Sequence, residues 1–248
     1  MNIKPGTELT ARAYEALRTA ILDGRLPPGA PLSRRKLAEE LGMSPVPVGD
    51  AIGRLEGEGL VESRPRAGTR VRIATAEEIH GNYVLREALE THSARLFATS
   101  ASARERQRLL RAAERVDQTY NTLAHRSRVA PERRAAAERN HVGLHMLIAQ
   151  ATGVPVLAGA IERSRVLLLN WLFSRSITFE PFPERWHRDL ADVLVSGSAD
   201  DAAHAMRTHV TFRQEEVIAR FQALALEPAA SGQMKRGPQR QGASRRTL

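Results

Sequence analysis

Between Ser33 and Ile73 the chain is punctuated so densely that few folds accommodate it. Ser33 precedes a short stretch in which Leu37, Ala38 and Leu41 recur at helical spacing, and Gly42 follows where a helix needs a left-handed residue to stop. Ser44 is placed to cap a second stretch. Its early prolines, Pro45 and Pro47, suit a first helical turn, because N–H groups there have no intrahelical acceptor. Gly59 closes that stretch, and two β-prone runs follow, Leu60 to Arg64 and Thr69 to Ile73, around Pro65-Arg66-Ala67-Gly68. Ahead of Ser33, the residues Leu9, Ala13, Leu17 and Ile21 carry a helical period that stops at Asp23-Gly24. The order helix, helix, helix, hairpin predicts a winged helix-turn-helix over residues 1–74.

Beyond Ile73 the pattern changes to long amphipathic stretches. Thr75 with Glu78, and Ser102 with Glu105, are capping-box pairs, each opening a helix. Further helices are predicted from Pro131 to about Ala151, Pro155 to about Arg175, Glu184 to about Val195 and Asp200 to about Leu226. Residues 75–226 therefore read as an all-α antiparallel helical bundle, and the fold class is mainly α with a small β wing. Residues 227–248 are rich in Gly, Pro, Gln, Ser and Arg, and read as a basic disordered tail.

The formal net charge is +9, but Lys235, Arg236, Arg240, Arg245 and Arg246 against Glu227 put +4 of it in the tail, leaving +5 for residues 1–226. That balance favours a polyanionic partner. The chain has no cysteine, which excludes disulfides, thiolate zinc sites and a cysteine nucleophile. Met1 to Leu9 lacks an apolar signal core, and no run approaches the roughly 18 apolar residues of a membrane span. The expectation is a soluble, cytoplasmic protein with no membrane partner.

A helix-turn-helix works by laying its second helix in the major groove, about 12 Å wide, with the first turn against base edges. Residues placed to reach double-stranded DNA are Ser44, Val46, Asp50 and Arg54 on that helix and Arg34, Arg35 and Lys36 at the start of the preceding one. On the wing they are Arg64, Arg66, Gly68 and Arg70. Most are phosphate clamps, which position without specifying sequence. The competing reading makes these residues a solvated face of a winged helix that binds protein.

His141 and His145 stand at i and i+4, one turn apart on one helical face, and can chelate one metal. His187 and His209 lie on two later predicted helices, and inward imidazoles of a bundle can converge on one ion. Isolated histidines on apolar helices also serve as core or interface residues, so spacing alone leaves both readings open. The other histidines, His80, His92, His125 and His204, read as structural or exposed. No glutamate follows His141 to act as a general base, and no phosphate loop or nucleophile elbow is present, so the chain does not read as an enzyme. A metal-dependent helical-bundle enzyme is the alternative from another class. A third reading is an architectural DNA-binding dimer indifferent to ligands.

Ala20 to Gly29, Leu37-Ala38-Glu39-Glu40-Leu41-Gly42-Met43-Ser44, Pro47-Val48 and Arg54 to Val61 together resemble the winged helix of the GntR family. The resemblance implies a transcription regulator, expected to act as a repressor, binding a palindromic operator as a homodimer. Arg35 matches the family's DNA-contacting arginine, whereas Pro45 and Gly49 stand where members usually carry arginine. Residues 79–226 are similar to the FCD (FadR C-terminal) domain of that subfamily, whose metal-binding members use an aspartate and three histidines. His145, His187 and His209 fall on the histidine positions, and His141 replaces the aspartate. The resemblance thus implies a divalent metal, and the softer ligand set favours zinc or nickel. It also implies a small carboxylate effector, oriented by Arg86, with Asn170, Arg163 and Arg165 as further candidates and a surface pair between Arg86 and Glu90 as the alternative. The run Leu167 to Phe173 is either core or partner surface.

Overall fold

A computed structural model describes residues 5–22, 24–124, 129–173 and 182–226. The predicted tail, residues 227–248, and His125 lie outside them.

The first three helices are α1 (Pro5–Leu22), α2 (Arg34–Leu41) and α3 (Pro45–Gly57). The strands β1 (Val61–Arg64) and β2 (Gly68–Val71) follow. Ser33 caps α2 by accepting from the Lys36 N–H, and Gly42 ends it at φ +63°, a conformation glycine adopts without a Cβ penalty. Ser44 occupies the N-cap of α3 but makes no capping bond, contrary to expectation. The cause is local: the third helical position is Pro47, which has no N–H to offer the serine oxygen. The strands pair antiparallel with Val61 opposite Val71 and Arg64 opposite Gly68. Leu17 and Ile21 of α1, Leu37 of α2, Ile52 and Leu55 of α3, and Val61 and Val71 of the wing bury together as one core. Burying each such side chain contributes about 1.5–3 kcal/mol, which fixes the angle between α2 and α3.

Among the described residues seven helices follow. They are α4 (Ala76–Ser100), α5 (Ala103–Ala124), α6 (Pro131–Ala151), α7 (Pro155–Phe173), α8 (Trp186–Ser196), α9 (Ala199–Thr211) and α10 (Gln214–Leu226). The Thr75–Glu78 capping box forms as predicted, and Ser102 and Glu105 exchange the corresponding bonds. The single helix expected from Asp200 to about Leu226 is two. Its break lies at Arg213, which takes φ +61° with its guanidinium 5.0 Å from the ring centres of both Phe182 and Phe212. A Ser198–Asp201 capping box starts α9 one residue before the predicted Asp200. Phe97, Leu109, Val116, Leu144, Ile148, Leu194 and Met206 form the second core. Around it α4 packs along α9, while α5 packs against α6 and α8.

Candidate metal centre and nucleic-acid interface

Within the winged helix, Pro47, Val48, Ala51, Ile52 and Leu55 face inward, so Ser44, Val46, Asp50 and Arg54 are left on the outer face of α3. Val46 is 71% exposed, an apolar side chain held in solvent at the helix tip. Arg34, Arg35 and Lys36 form the exposed first turn of α2. Arg34 lies across Gly49, where an added Cβ would sit 3.8 Å from its Cδ. Among the described residues neither Arg34 nor Arg35 has an ion-pair partner, whereas Lys36 stands 3.8 Å from Glu40.

The predicted DNA-facing arginines are not equivalent. Arg54 stacks its guanidinium 3.8 Å above the Tyr14 ring. Burial, and next the hydrogen bond that Tyr14 donates to Glu58, push the phenol up to about 12. On the wing, Arg70 Nε donates to Glu62 at 2.5 Å and Arg64 Nη2 to the same carboxylate at 3.4 Å. Burial raises Glu62, but these two cations outweigh it and hold the carboxyl below its ordinary value. Arg66, at φ +63° on the hairpin tip beside Gly68, is exposed and has no ion-pair partner among the described residues.

In the helical half, α6 carries His141 and His145 and α9 carries His209. Their Nε2 atoms converge: 3.0 Å from His145 to His141, 3.3 Å from His141 to His209 and 3.2 Å from His145 to His209. Each neutral imidazole nitrogen carries either a proton or a lone pair, so three mutual contacts cannot all be hydrogen bonds. Lone pairs facing one point are instead a ligand set. A triangle with these sides admits a point about 2.0–2.1 Å from every corner, the usual Zn–N distance. The donor set therefore fits a divalent metal.

His187 is brought alongside this triangle rather than into it, its ring centre 4.7 Å from that of His141 and 5.2 Å from that of His209. It is fully buried, and its Nε2 has no hydrogen-bond partner among the described residues. Its Nδ1 lies 2.6 Å from Asp117 Oδ1 on α5.

A wall of aromatic rings closes the cluster. Tyr120 stacks on His187, Trp186 stacks on His209, and Phe182 meets His141 and His187 edge-on.

From α4, Glu90 Oε2 approaches His145 Nδ1 at 2.5 Å, while its other oxygen accepts from Arg86 Nε at 3.0 Å. The Arg86–Glu90 pair at i and i+4 thus forms, but as a buried pair and not on the helix surface. Sequence reading singled out neither Glu90 nor Asp117 as a support of the histidines, because a lone carboxylate on an amphipathic helix carries no signal of the imidazole it will meet. His80, His92 and His204 are exposed, as expected. Arg163 is exposed on α7. The side chains of Asn170, Arg165 and the run Leu167 to Phe173 lie outside the described residues.

Among the described residues no helix is long and apolar enough to cross a membrane. Residues 9–71 match the family profile of bacterial regulatory proteins of the gntR family, and residues 82–212 match that of the FCD domain. The chain is 29% identical over 204 residues to a repressor assigned to a D-xylose utilization operon in Paenarthrobacter nicotinovorans, covering 82% of this chain and 86% of that protein. It is 24% identical over 220 residues to the HTH-type transcriptional repressor RspR of Escherichia coli K12, covering 87% and 91%. In fold it resembles the crystal structure of a GntR transcriptional regulator from Rhodococcus sp. RHA1, with a TM-score of 0.69 at 22% identity over 85% of this chain and 97% of that one.

Proposed function

Because this chain belongs to the GntR family of bacterial regulatory proteins and carries an FCD domain, it is a DNA-binding transcription regulator and not an enzyme, and we propose that it is a homodimeric repressor whose hold on a palindromic operator answers to a small carboxylate captured at the histidine cluster. The observation that carries this reading is the convergence of the His141, His145 and His209 Nε2 atoms in the core of the helical half. A divalent ion held by these residues, with His187 beside them, would supply positive charge and open coordination positions for a carboxylate. Zinc or nickel suits imidazole donors better than magnesium or calcium does.

Arg86 supports the carboxylate part of the reading. Its side chain is buried, its guanidinium lies 5.5 Å from the Tyr83 ring centre and its Nε donates to Glu90, while among the described residues the two terminal amines have no hydrogen-bond partner. A guanidinium with two parallel donors matches a carboxylate bidentately. Asn170, on α7, is the second candidate contact. Glu90 joins Arg86 to His145, so an anion on the arginine bears on the helix that carries two of the histidines.

Ion pairs link the halves. Arg18 of α1 meets Glu162 of α7 at 3.4 Å, and Arg72, just past β2, pairs with Glu78 in the first turn of α4. An effector that favours one arrangement of α4 and α7 therefore biases the setting of the winged helix. It shifts the equilibrium only by its differential affinity for the two arrangements. On the DNA side, Ser44, Val46 and Asp50 at the tip of α3 face base edges, Arg34, Arg35, Lys36 and Arg54 hold phosphates, and Arg66 and Gly68 enter from the wing. Pro45 and Gly49 remove two cationic contacts usual in the family, so the operator differs from those of relatives that carry them; each bidentate base contact is worth about 1–3 kcal/mol of discrimination.

The test is a mobility-shift assay of the purified protein on genomic fragments across a salt series, repeated with zinc and with a panel of small carboxylates. A selected fragment whose affinity falls steeply with salt, and falls or rises further with one acid, supports the reading. Operator binding that ignores chelator and every acid favours the ligand-indifferent architectural dimer instead.

A further inference from the structure

Asp117 is the least explained buried charge near the cluster. It lies on α5, is 6% exposed, and belongs to none of the sequence patterns that mark the site. Its carboxylate accepts three N–H groups from the start of α8: Oδ1 takes the His187 backbone N–H at 3.0 Å and approaches Nδ1 of the same residue at 2.6 Å, and Oδ2 takes the Arg188 N–H at 2.8 Å. The N-cap residue of α8, Arg185, makes no side-chain capping bond of its own. Asp117 therefore caps α8 from another helix and grips the imidazole of the second residue at the same time.

Resting on the metal reading above, we propose that Asp117 is a positioning residue for the centre. An ionised carboxylate only accepts, so the Nδ1 beside it must carry the proton. The other nitrogen of His187 then presents a lone pair. That nitrogen, Nε2, is a buried atom with no hydrogen-bond partner among the described residues, in a ring 4.7 Å from the ring of His141. Tyr120, stacked on this ring with centres 5.6 Å apart and 12° between planes, restrains the imidazole from turning over. Asp117 thus leaves His187 with a lone pair to offer beside the three converging Nε2 atoms of His141, His145 and His209. It also places a negative charge behind His187, as Glu90 does behind His145. A carboxylate behind a ligating histidine fixes its tautomer and raises its basicity, and losing one typically weakens metal binding 10–100-fold.

The experiment is a double-mutant cycle on the full chain read by Zn²⁺ affinity, measured in competition with a chromophoric chelator. Asp117→Asn and His187→Ala are each expected to weaken Zn²⁺ binding about 10–100-fold. Asp117→Asn made in the His187→Ala background is expected to weaken it no further, because the aspartate acts through that imidazole. A role in capping alone would lower the thermal midpoint of the metal-free protein and leave Zn²⁺ affinity at the wild-type value; that result, or additive losses in the cycle, overturns the proposal. Imidazole nitrogen NMR of the metal-free wild-type protein is independent of whether the variants fold: His187 must appear with its proton on Nδ1, and a proton on Nε2 refutes the assignment. A wild-type protein that takes up no Zn²⁺ overturns the metal reading itself, whereas uptake indifferent to Asp117→Asn overturns only the role given to Asp117.

Discussion

Replacing Glu90 with alanine should unfold the helical half at markedly lower denaturant. Arg86 and Glu90 are 6% and 2% exposed, so the carboxylate is the counter-charge of a guanidinium that water scarcely reaches. Removing one member of a buried pair leaves the other charge uncompensated and costs about 3–5 kcal/mol. Replacing both partners, Arg86→Met with Glu90→Leu, removes the stranded charge, and that exchange is often close to neutral, so the double variant should recover most of the loss. Both tryptophans, Trp171 and Trp186, lie in the helical half, so their fluorescence during urea unfolding follows that half alone. With chelator present, and a denaturant slope of about 1–3 kcal/mol per molar, the single variant should lower the midpoint by at least about 1 M. A midpoint within about 0.3 M of wild type on that slope, or a double variant less stable than the single one, would refute the claim that this pair is desolvated and mutually dependent.

Three further outcomes rest on individual contacts in the fold. Gly197→Ala places a methyl 2.7 Å from Val193 O at the end of α8, so it should destabilise by about 1–3 kcal/mol in the same urea experiment, and an unchanged midpoint would mean the α8–α9 joint yields freely. Between pH 10 and about 12 the folded chain keeps on Tyr14 a proton that the unfolded chain has lost, so stability of the winged helix should fall as pH rises through that window. Tyr14→Phe should abolish that fall, together with the phenolate absorbance that titrates near 12. In salt-dependent operator binding, Arg66→Ala should reduce the slope by about 1, while Arg70→Ala, whose guanidinium is already held by Glu62, should leave it nearly unchanged. Equal effects of the two would show that the Glu62 pair opens on DNA.

The winged helix was legible because its joints are written locally. Ser33, Gly42, Gly59 and the Pro65 to Gly68 turn each fix a backbone conformation within a few residues, and the apolar period between them fixes which face is buried. The bond that failed to form, at Ser44, was also local: the sequence contains the proline that removes its donor. The histidines on α6 were readable as a pair because i and i+4 share a face. What gathers them with His209 is tertiary packing of α6 and α9 around α4, which no spacing encodes. Glu90 and Asp117 escaped for the same reason, since His145 and His187 lie 55 and 70 residues further along the chain. The break at Arg213 escaped because arginine seldom marks a helix end; its left-handed backbone is held from outside, by Phe182 and Phe212.

That reversal has a consequence for the last helix. With glycine at position 213 the chain could bend there unaided, but an arginine needs its side chain anchored to stay at a positive φ, and two rings at the rim of the cluster are among its anchors. The elbow that leads into α10 thus leans on residues that border the imidazoles, while α10 itself seats against α4. Displacing Phe182 would strip one of the two rings from the elbow that leads into the final helix.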